Sequence, residues 1–481
     1  MRVRFAPSPT GFLHIGNART AICNFLIARK HNATLLLRIE DTDMERSSRE
    51  SEESILRDLK WLGIEWQEGP DAGGEYGPYR QSERFDIYRE YSERLLAKGS
   101  AYHCYCSQEE LEGERKKSEA EKGFYVYSGK CRDLSDEQKR AFEAEGRKPT
   151  IRFRVPDGEK VVVRDLIKGP VAFGSENIGG DFIIVRSDGV PVYNYIVIID
   201  DALMKVSHVI RGEDHLSNTP KQILIARALD LPVPEFAHIA LVLGPDRAKL
   251  SKRHGITSVA MYRSEGYLPE ALFNYLSMLG WATESGEEIL GIDDIAREIE
   301  IGSLAKSAAV FDFQKLRWMN GVYIRSFPLD TITDLFLPYI AEAGYNVSGL
   351  DRGVLETIVD LLRGYCEVLG DITKYLELFL EEVVVPDEET DALMSEEESK
   401  QVIAAAYKLI NSEITESNFC DDLIGKIKAV TSLKGKKLFH PIRGMITGRL
   451  SGPELDRAMP LFGFDRCRAR IEYMYRRYVQ G

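Results

Sequence analysis

The sequence predicts an α/β chain: a parallel α/β domain split by an insertion, followed by an all-helical region. Three observations carry this. From Arg2 to Ile39 the chain alternates strand, turn, helix and strand. A charged, irregular stretch from Cys104 to Ala172 then interrupts the alternation before it resumes. Beyond Arg325 the apolar residues recur at helical spacing almost to the end.

Val3 and Phe5 alternate before a break at Pro7-Ser8-Pro9-Thr10-Gly11. Ala18, Ala21, Ile22, Phe25 and Leu26 fall on one helical face, and Leu35-Leu36-Leu37-Arg38-Ile39 reads as a buried strand. Such a unit takes ligands at the carboxyl ends of its strands. Ile55, Leu56, Leu59 and Leu62 mark a second helix. After the insertion the α/β pattern resumes with two short apolar runs that fit buried strands. They are Phe182-Ile183-Ile184-Val185 and Ile196-Val197-Ile198-Ile199, on either side of the turn Ser187-Asp188-Gly189. Thr219-Pro220 opens a helix, with Thr219 as N-cap and Pro220 at the first helical position. In the last region the acidic stretch from Pro386 to Glu398 is expected to interrupt long amphipathic helices. No internal repeat or low-complexity tract occurs.

A length of 481 residues corresponds to about three domains of ordinary size. With 44% hydrophobic and 29% charged residues there is apolar material for more than one core, and no apolar run approaches a membrane span. The net charge of −13 and a pI near 5.4 argue against coating nucleic acid through a global positive field, but leave room for a local basic face. Seven unevenly spread cysteines suit free thiols or a metal site in a reducing compartment, not a disulfide framework. The N-terminus has no secretory apolar segment, so a cytoplasmic protein is expected.

Neither of the two commonest nucleotide fingerprints, the Walker loop and the G-x-G-x-x-G turn, is present. Instead, Thr10-Gly11-Phe12-Leu13-His14-Ile15-Gly16-Asn17 lies between the first strand and the first helix. That position offers free N–H groups and the positive end of a helix dipole to an anion. His14 adds a donor for a phosphate oxygen. Much later, Lys249-Leu250-Ser251-Lys252-Arg253-His254-Gly255 places two lysines in a Gly- and Ser-containing loop, able to grip a triphosphate as movable point charges. Either stretch alone would be unremarkable, since a lysine pair is usually a solvated surface feature.

Taken together and in this order, the two resemble the signatures of class I aminoacyl-tRNA synthetases. His14-Ile15-Gly16-Asn17 is similar to the first (HIGH) motif and Lys249-Leu250-Ser251-Lys252-Arg253 to the second (KMSKS). Asn17, Leu250 and Arg253 depart from the motif letters. The flanking sequences resemble the glutamyl branch: Arg4-Phe5-Ala6-Pro7-Ser8-Pro9-Thr10-Gly11, Leu37-Arg38-Ile39-Glu40-Asp41-Thr42-Asp43, Gly77-Pro78-Tyr79-Arg80-Gln81-Ser82, Val209-Ile210-Arg211-Gly212-Glu213-Asp214-His215 and Lys315-Leu316-Arg317-Trp318-Met319-Asn320-Gly321.

The resemblance implies a Rossmann-type class I synthetase catalytic domain split by an insertion and followed by all-helical anticodon-binding domains. The expected division is 1–103 and 181–255 for the catalytic halves and 104–180 for an acceptor-binding insertion. Residues 256–325 would form a stem-contact connection and 326–481 the anticodon-binding region. It implies that Arg4, Ser8, Glu40, Tyr193 and Arg211 surround glutamate, while Thr10, His14, Gly16, Asn17, Glu213, Lys249 and Lys252 serve ATP, which arrives with Mg²⁺. His14, Lys249 and Lys252 would be catalytic, in an ATP-dependent ligation of glutamate to tRNA-Glu, or also to tRNA-Gln. A monomer is expected. Arg4 and Arg211 suit the carboxylates of such a substrate, because guanidinium forks match carboxylates bidentately. Thr42 or Asp43 could instead cap the second helix.

Glutaminyl relatives usually carry a different stretch at Pro7–Thr10 and β-barrels at the C-terminus, and a short tRNA-modifying paralogue lacks the C-terminal domains. A small-molecule nucleotidyltransferase would have no need of the helical region, and a non-catalytic relative would have lost His14, Lys249 or Lys252. In the insertion, Cys104, Cys106 and Cys131 with Asp133 fit a structural zinc site; the resemblance offers Tyr127, a ligand in a related paralogue, as the other choice of fourth ligand. Lys434, Lys436, Lys437, Arg443, Arg449, Arg466, Arg468, Arg470, Arg476 and Arg477 make the C-terminus locally basic, an expected strip for a tRNA anticodon arm.

Overall fold

The computed structural model describes residues 1–122 and 125–480, without the side chains of Glu119, Glu121, Lys122, Glu176 and Lys252. The chain divides into two units, one of residues 1–263 with 269–313, the other of residues 264–268 with 314–481.

The strands of the first unit are β1 (Arg2–Phe5), β2 (Thr34–Leu37), β3 (Ala101–Cys104), β4 (Thr150–Phe153), β5 (Lys160–Asp165), β6 (Gly169–Gly174), β7 (Phe182–Val185), β8 (His208–Gly212) and β9 (Glu235–Ile239). Two short strands, β10 (Val242–Leu243) and β11 (Ala309–Val310), pair in parallel. The expected opening unit is present. Strands β1 and β2 run parallel, with Val3 opposite Leu35 and Phe5 opposite Leu37, and helix α1 (Ile15–Lys30) crosses between them. Helix α1 is buried on most of its surface, so it carries apolar or hydrogen-bonded residues nearly all round. The second helix, α2 (Arg49–Trp61), is capped by Ser48, whose side chain accepts the Ser51 N–H at 3.1 Å. Thr42 and Asp43 therefore do not cap it.

Strands β8 and β9 are the second parallel pair, and the Ser207 N–H donates to the Arg2 carbonyl at 3.0 Å, bringing β8 beside β1. The insertion adds strands to one edge of this arrangement. The β5–β6 hairpin extends the β8–β9 sheet through a parallel contact between Asp165 and Phe236. Strands β3, β4 and β7 form a separate antiparallel sheet.

Phe182–Val185 is thus a strand, but of the antiparallel sheet, not of the parallel set it was expected to rejoin. The Ile196–Ile199 run is corrected outright: it lies in a helix, Tyr193–Leu203, in which residues 195–202 are all buried. A helix buried on every face shows no amphipathic period, so a short apolar window reads equally well as a strand. The helix at Thr219–Ala228 starts as expected with Pro220 in its first turn, but its cap position is Asn218, because a 3₁₀ turn, Glu213–Asn218, runs straight into it.

Among the described residues of the second unit there is no strand. Its helices span 7 to 14 residues, shorter than the sequence suggests, and include Leu329–Glu342, Arg352–Leu362, Glu397–Ile410 and Lys436–Thr447. Ile332, Phe336, Leu362, Leu376, Ile403, Ala406, Ile442, Met445 and Ile471 are wholly buried in it. The acidic stretch interrupts the helices as expected, and its acids also start the two that follow. Asp387 caps helix Glu388–Met394 through the Thr390 N–H, and Glu397 and Glu398 occupy the first turn of the next helix, where the dipole favours negative charge.

Arg470 leaves the expected basic strip altogether. It is fully buried and donates to the carbonyls of Leu378, Glu381, Glu382 and Ile446 at 2.6–3.3 Å, with its guanidinium over the Phe462 ring. Burial lowers its pKa to about 10. One guanidinium here satisfies the orphan carbonyls at the ends of helices Thr373–Leu380 and Lys436–Thr447. Arg470→Met is expected to destabilise this unit by about 2–4 kcal/mol in urea denaturation, because several buried carbonyls lose a charged donor at once. A change below about 0.5 kcal/mol would show that those carbonyls find other donors.

Candidate active site

A cleft of about 610 Å³ opens at the carboxyl ends of β1, β2, β8 and β9. Arg4 and Phe5 enter it from β1, Glu40 from just beyond β2, Arg211 and Gly212 from β8, and Ile239 and Ala240 from β9. Of the residues expected to bind glutamate or ATP, Arg4, Ser8, Thr10, His14, Gly16, Asn17, Glu40, Tyr193, Arg211 and Lys249 all line this cleft. Glu213 stands beside it, accepting the Leu241 N–H at 2.9 Å and ion-paired with Lys168 from the turn of the β5–β6 hairpin. The side chain of Lys252 lies outside the described residues.

His14 is the N-cap of α1, and its Nδ1 accepts the Gly16 N–H at 3.1 Å. An acceptor at Nδ1 puts the proton of the neutral ring on Nε2, leaving a donor for the cleft. Burial and then the nearby Lys249 lower its pKa, which favours that neutral form. The second lysine-bearing loop is tied to this end of α1: the Ile15 N–H donates to the Thr257 carbonyl at 2.9 Å and the Val259 N–H to the Leu13 carbonyl at 3.0 Å. Within the loop Asp246 holds Arg253 and His254 at 2.9 and 3.1 Å, and the His254 ring packs over Gly244, where a Cβ would meet it at 3.0 Å. The Lys249 ammonium rests on Asp214 at 2.9 Å, half-exposed at the cleft edge.

The end of the cleft at Arg4, Glu40 and Arg211 is built of buried charge. Arg4 bonds Asp201 at 3.3 Å. Arg38 bonds Asp201 at 2.8 Å and Glu40 at 3.3 Å. Burial raises the pKa of Glu40, while Arg38 and Arg4 pull it back. For Asp201 the arginines outweigh burial and hold its pKa below the usual range. Arg211 is different. It is 4% exposed, and among the described residues its recorded partners are all neutral: Thr219 at 2.9 Å, Gln222 at 2.8 Å, His238 at 3.2 Å and the Tyr193 hydroxyl at 3.5 Å. Burial accordingly lowers its pKa. Tyr193 also meets His215 Nδ1 at 3.2 Å, and burial together with Arg211 pushes His215 down to about 4.

Apart from this cleft, the sulfurs of Cys104, Cys106 and Cys131 lie within 4.8 Å of one another. Asp133 does not join them; it is exposed and pairs with Arg154 at 3.0 Å. Tyr127 stands there instead, its hydroxyl 3.5 Å from Cys104 and 3.4 Å from Cys106. Hydrogen bonds from Cys106 and Cys131, followed by the Arg152 guanidinium, pull the Cys104 thiol far down, with Arg152 Nε 3.2 Å from its sulfur. Three converging sulfurs, one favoured as thiolate, with a phenol beside them form a donor set that fits a tetrahedral metal.

Part of the basic tract of the second unit is paired within it: Lys437 with Glu398, Arg449 with Glu377, Arg468 with Glu472 and Arg477 with Asp391. Sequence reasoning missed the residues that hold the clamp. Asp200 and Asp201 carried a signal, two acids closing an apolar run, which when buried must be paired. Thr219, Gln222 and His238 carried none, since each becomes a partner of Arg211 only through the fold.

Residues 1–318 match the family model for class I tRNA synthetases (E and Q), catalytic domain, and residues 331–475 match that of an anticodon binding domain. Two similar relatives are named glutamate–tRNA ligase. One, from Carboxydothermus hydrogenoformans, is 47% identical over 99% of this chain and 100% of its own length. The other, from Sulfurihydrogenibium sp., is 49% identical over 98% of both. A crystal structure of a glutamate tRNA ligase from Elizabethkingia meningosepticum in complex with its amino acid superposes with a TM-score of 0.88 at 32% identity, covering 99% of each chain.

The depressed pKa of His215 has a consequence that can be measured. The folded state resists protonating this ring, so between the unfolded value near 6.5 and the folded value of about 4 the unfolded state binds more protons. Its contribution to stability is therefore present above about pH 6.5 and lost as pH falls toward about 4. An NMR titration should place the His215 midpoint near 4; a midpoint near 6.5 would contradict the burial and Arg211 argument.

Proposed function

The chain belongs to the class I tRNA synthetases for glutamate and glutamine, and from that membership we propose that it is a glutamate–tRNA ligase, activating L-glutamate with ATP and passing the glutamyl group to the 3′-terminal adenosine of tRNA-Glu. The observation that carries the choice of substrate is Arg211, a buried guanidinium without a carboxylate partner among the described residues, opening on the cleft. A buried cation left this way calls for an anionic ligand. Arg4 and Arg211 against Glu40 offer two cations and one anion, the complement of two carboxylates and one ammonium. Ser8 and Tyr193 complete that pocket.

In the first step an α-carboxylate oxygen of glutamate bonds to the α-phosphorus of ATP, and the bond to the leaving pyrophosphate breaks. Glutamyl-adenylate is formed. Then the 2′-hydroxyl of the terminal ribose takes the acyl group and AMP leaves. Neither step uses a protein nucleophile; the work is positioning and charge stabilisation. His14 donates from Nε2 to the α-phosphate oxygens. Thr10, Gly16 and Asn17 line the phosphate path at the start of α1, beside Glu213. Lys249 leaves Asp214 for the pyrophosphate, with Lys252 as its companion. Mg²⁺ enters with ATP, held by the phosphates and water.

Residues 1–103 and 181–255 serve as the catalytic halves, 104–180 receives the acceptor end, 256–325 contacts the stem and 326–481 reads the anticodon. The protein acts as a cytoplasmic monomer; no helix of the described residues is long and apolar enough to cross a membrane. Cys104, Cys106 and Cys131, with Tyr127 in place of Asp133, hold a structural Zn²⁺ that braces the insertion.

Two experiments test this. Purified protein should charge a tRNA-Glu transcript with glutamate and not with glutamine. Charging of tRNA-Gln as well would mark a non-discriminating enzyme, and charging with glutamine or with neither amino acid would overturn the proposal. Elemental analysis should find about one zinc per chain, lost in Cys131→Ser and kept in Asp133→Ala. Absence of zinc from the unchanged protein would leave three free thiols and no metal site.

A further inference from the structure

Behind Arg211 lies a second layer of contacts that comes from the insertion. Asp165, the last residue of β5, is buried, and its Oδ2 accepts both the His238 N–H at 3.0 Å and His238 Nδ1 at 2.6 Å. Its Oδ1 accepts the N–H groups of Ile167 and Lys168 at 2.9 and 2.7 Å. The other imidazole nitrogen of His238 faces Arg211: Nε2 takes the Arg211 Nε–H at 3.2 Å and lies 3.1 Å from the Thr219 hydroxyl. His238 is fully buried.

These contacts fix where the ring proton sits. Arg211 Nε can only donate, so Nε2 must present its lone pair. The proton is then on Nδ1, in the short bond to Asp165. Arg211 is held at Nε by His238 and at one amino group by Thr219 and Gln222, which leaves its other amino group, beside Tyr193, for the cleft. The negative charge that faces Arg211 from this side arrives through an imidazole instead of by direct contact, so among the described residues no carboxylate occupies the edge that a substrate needs.

We infer that Asp165 and His238 are positioning residues for the glutamate-binding Arg211, so that the inserted hairpin, through the tautomer of one buried imidazole, sets the orientation of the amino-acid clamp. This rests on the glutamate–tRNA ligase reading. The alternative role is structural only: Asp165 closes its own turn and His238 fills the core.

Asp165→Asn separates the two. Its amide can still accept from Ile167 and Lys168 through Oδ1, and the turn is kept. The NH₂ then stands where Oδ2 was: it leaves the His238 backbone N–H without its acceptor and donates to Nδ1, which forces the ring proton to Nε2, against the Arg211 Nε–H. In aminoacylation of tRNA-Glu, the KM for glutamate should rise about 10- to 100-fold, with the KM for ATP changed less than about two-fold. His238→Gln places an amide oxygen near the Nε2 position, independent of Asp165. Adding Asp165→Asn to His238→Gln should therefore raise the KM for glutamate no more than about two-fold further.

The ¹⁵N spectrum of the imidazoles, with His238 assigned from the His238→Gln variant, should show Nδ1 protonated in the unchanged protein and Nε2 protonated in Asp165→Asn. A wild-type ring protonated at Nε2 would overturn the inference even where Asp165→Asn fails to fold. An unchanged KM for glutamate in folded Asp165→Asn, or additive effects in the double variant, would overturn it too. If the unchanged protein charges no tRNA with glutamate, the functional reading fails, while the spectrum still decides the position of the proton.

Discussion

Two adjacent buried carboxylates, Asp200 and Asp201, hold the interrupted fold together. They sit near the end of the helix Tyr193–Leu203, after the insertion, yet nearly all of their partners come from before it. Asp200 takes Arg84 at 2.8 Å, Gln81 at 2.9 Å and the Tyr88 hydroxyl at 2.7 Å; Asp201 takes Arg38 at 2.8 Å and Arg4 at 3.3 Å. An array of this kind contributes little net stability against a well-packed apolar core, but removal of one of its charged members leaves buried charge uncompensated, at a cost of about 3–5 kcal/mol. Its value is registration. The chain that returns from the insertion can be seated only where five donors from the first half already point, and the same seating delivers Arg4 to the cleft.

Around that array the two signature stretches are joined by backbone. The hydrogen bonds from Ile15 to Thr257 and from Val259 to Leu13 fix the positive end of α1 beside the lysine loop, which sequence order alone keeps far apart. Among the described residues the loop's cations rest on carboxylates: Lys249 on Asp214, and Arg253 and His254 on Asp246. Exposed ion pairs of this sort are worth less than about 1 kcal/mol each, so a polyanion can displace them readily. Lys249 is thus kept solvated at the cleft edge, not buried in a committed position.

Much of this was legible in the chain. The strand–turn–helix opening, the glycine and histidine of Thr10–Asn17 and the cationic loop follow local rules of spacing and charge, and local rules put their residues around one cleft. What stayed illegible depends on contacts between distant segments. Ile196–Ile199 reads as strand because full burial erases helical periodicity. Arg470 reads as surface cation because the carbonyls that bury it belong to helices elsewhere in the sequence. Asp133 reads as a zinc ligand from its spacing, whereas the fold turns it outward to Arg154 and brings Tyr127 to the thiols. Asp165 and His238 have no motif at all, and are linked only by the parallel contact of β5 with β9.

That parallel contact limits how the molecule can be taken apart. An insertion between two halves of a fold invites treatment as an exchangeable cassette, to be swapped between relatives for another tRNA preference. Here the cassette reaches beneath the amino-acid pocket, with Asp165 on His238 and Lys168 on Glu213. A graft that replaced the β5–β6 hairpin without its β9 counterpart would remove the carboxylate that His238 rests on and the ammonium that pairs with Glu213. Strands β5 and β6 thus belong to the β8–β9 sheet even though they are threaded within the insertion.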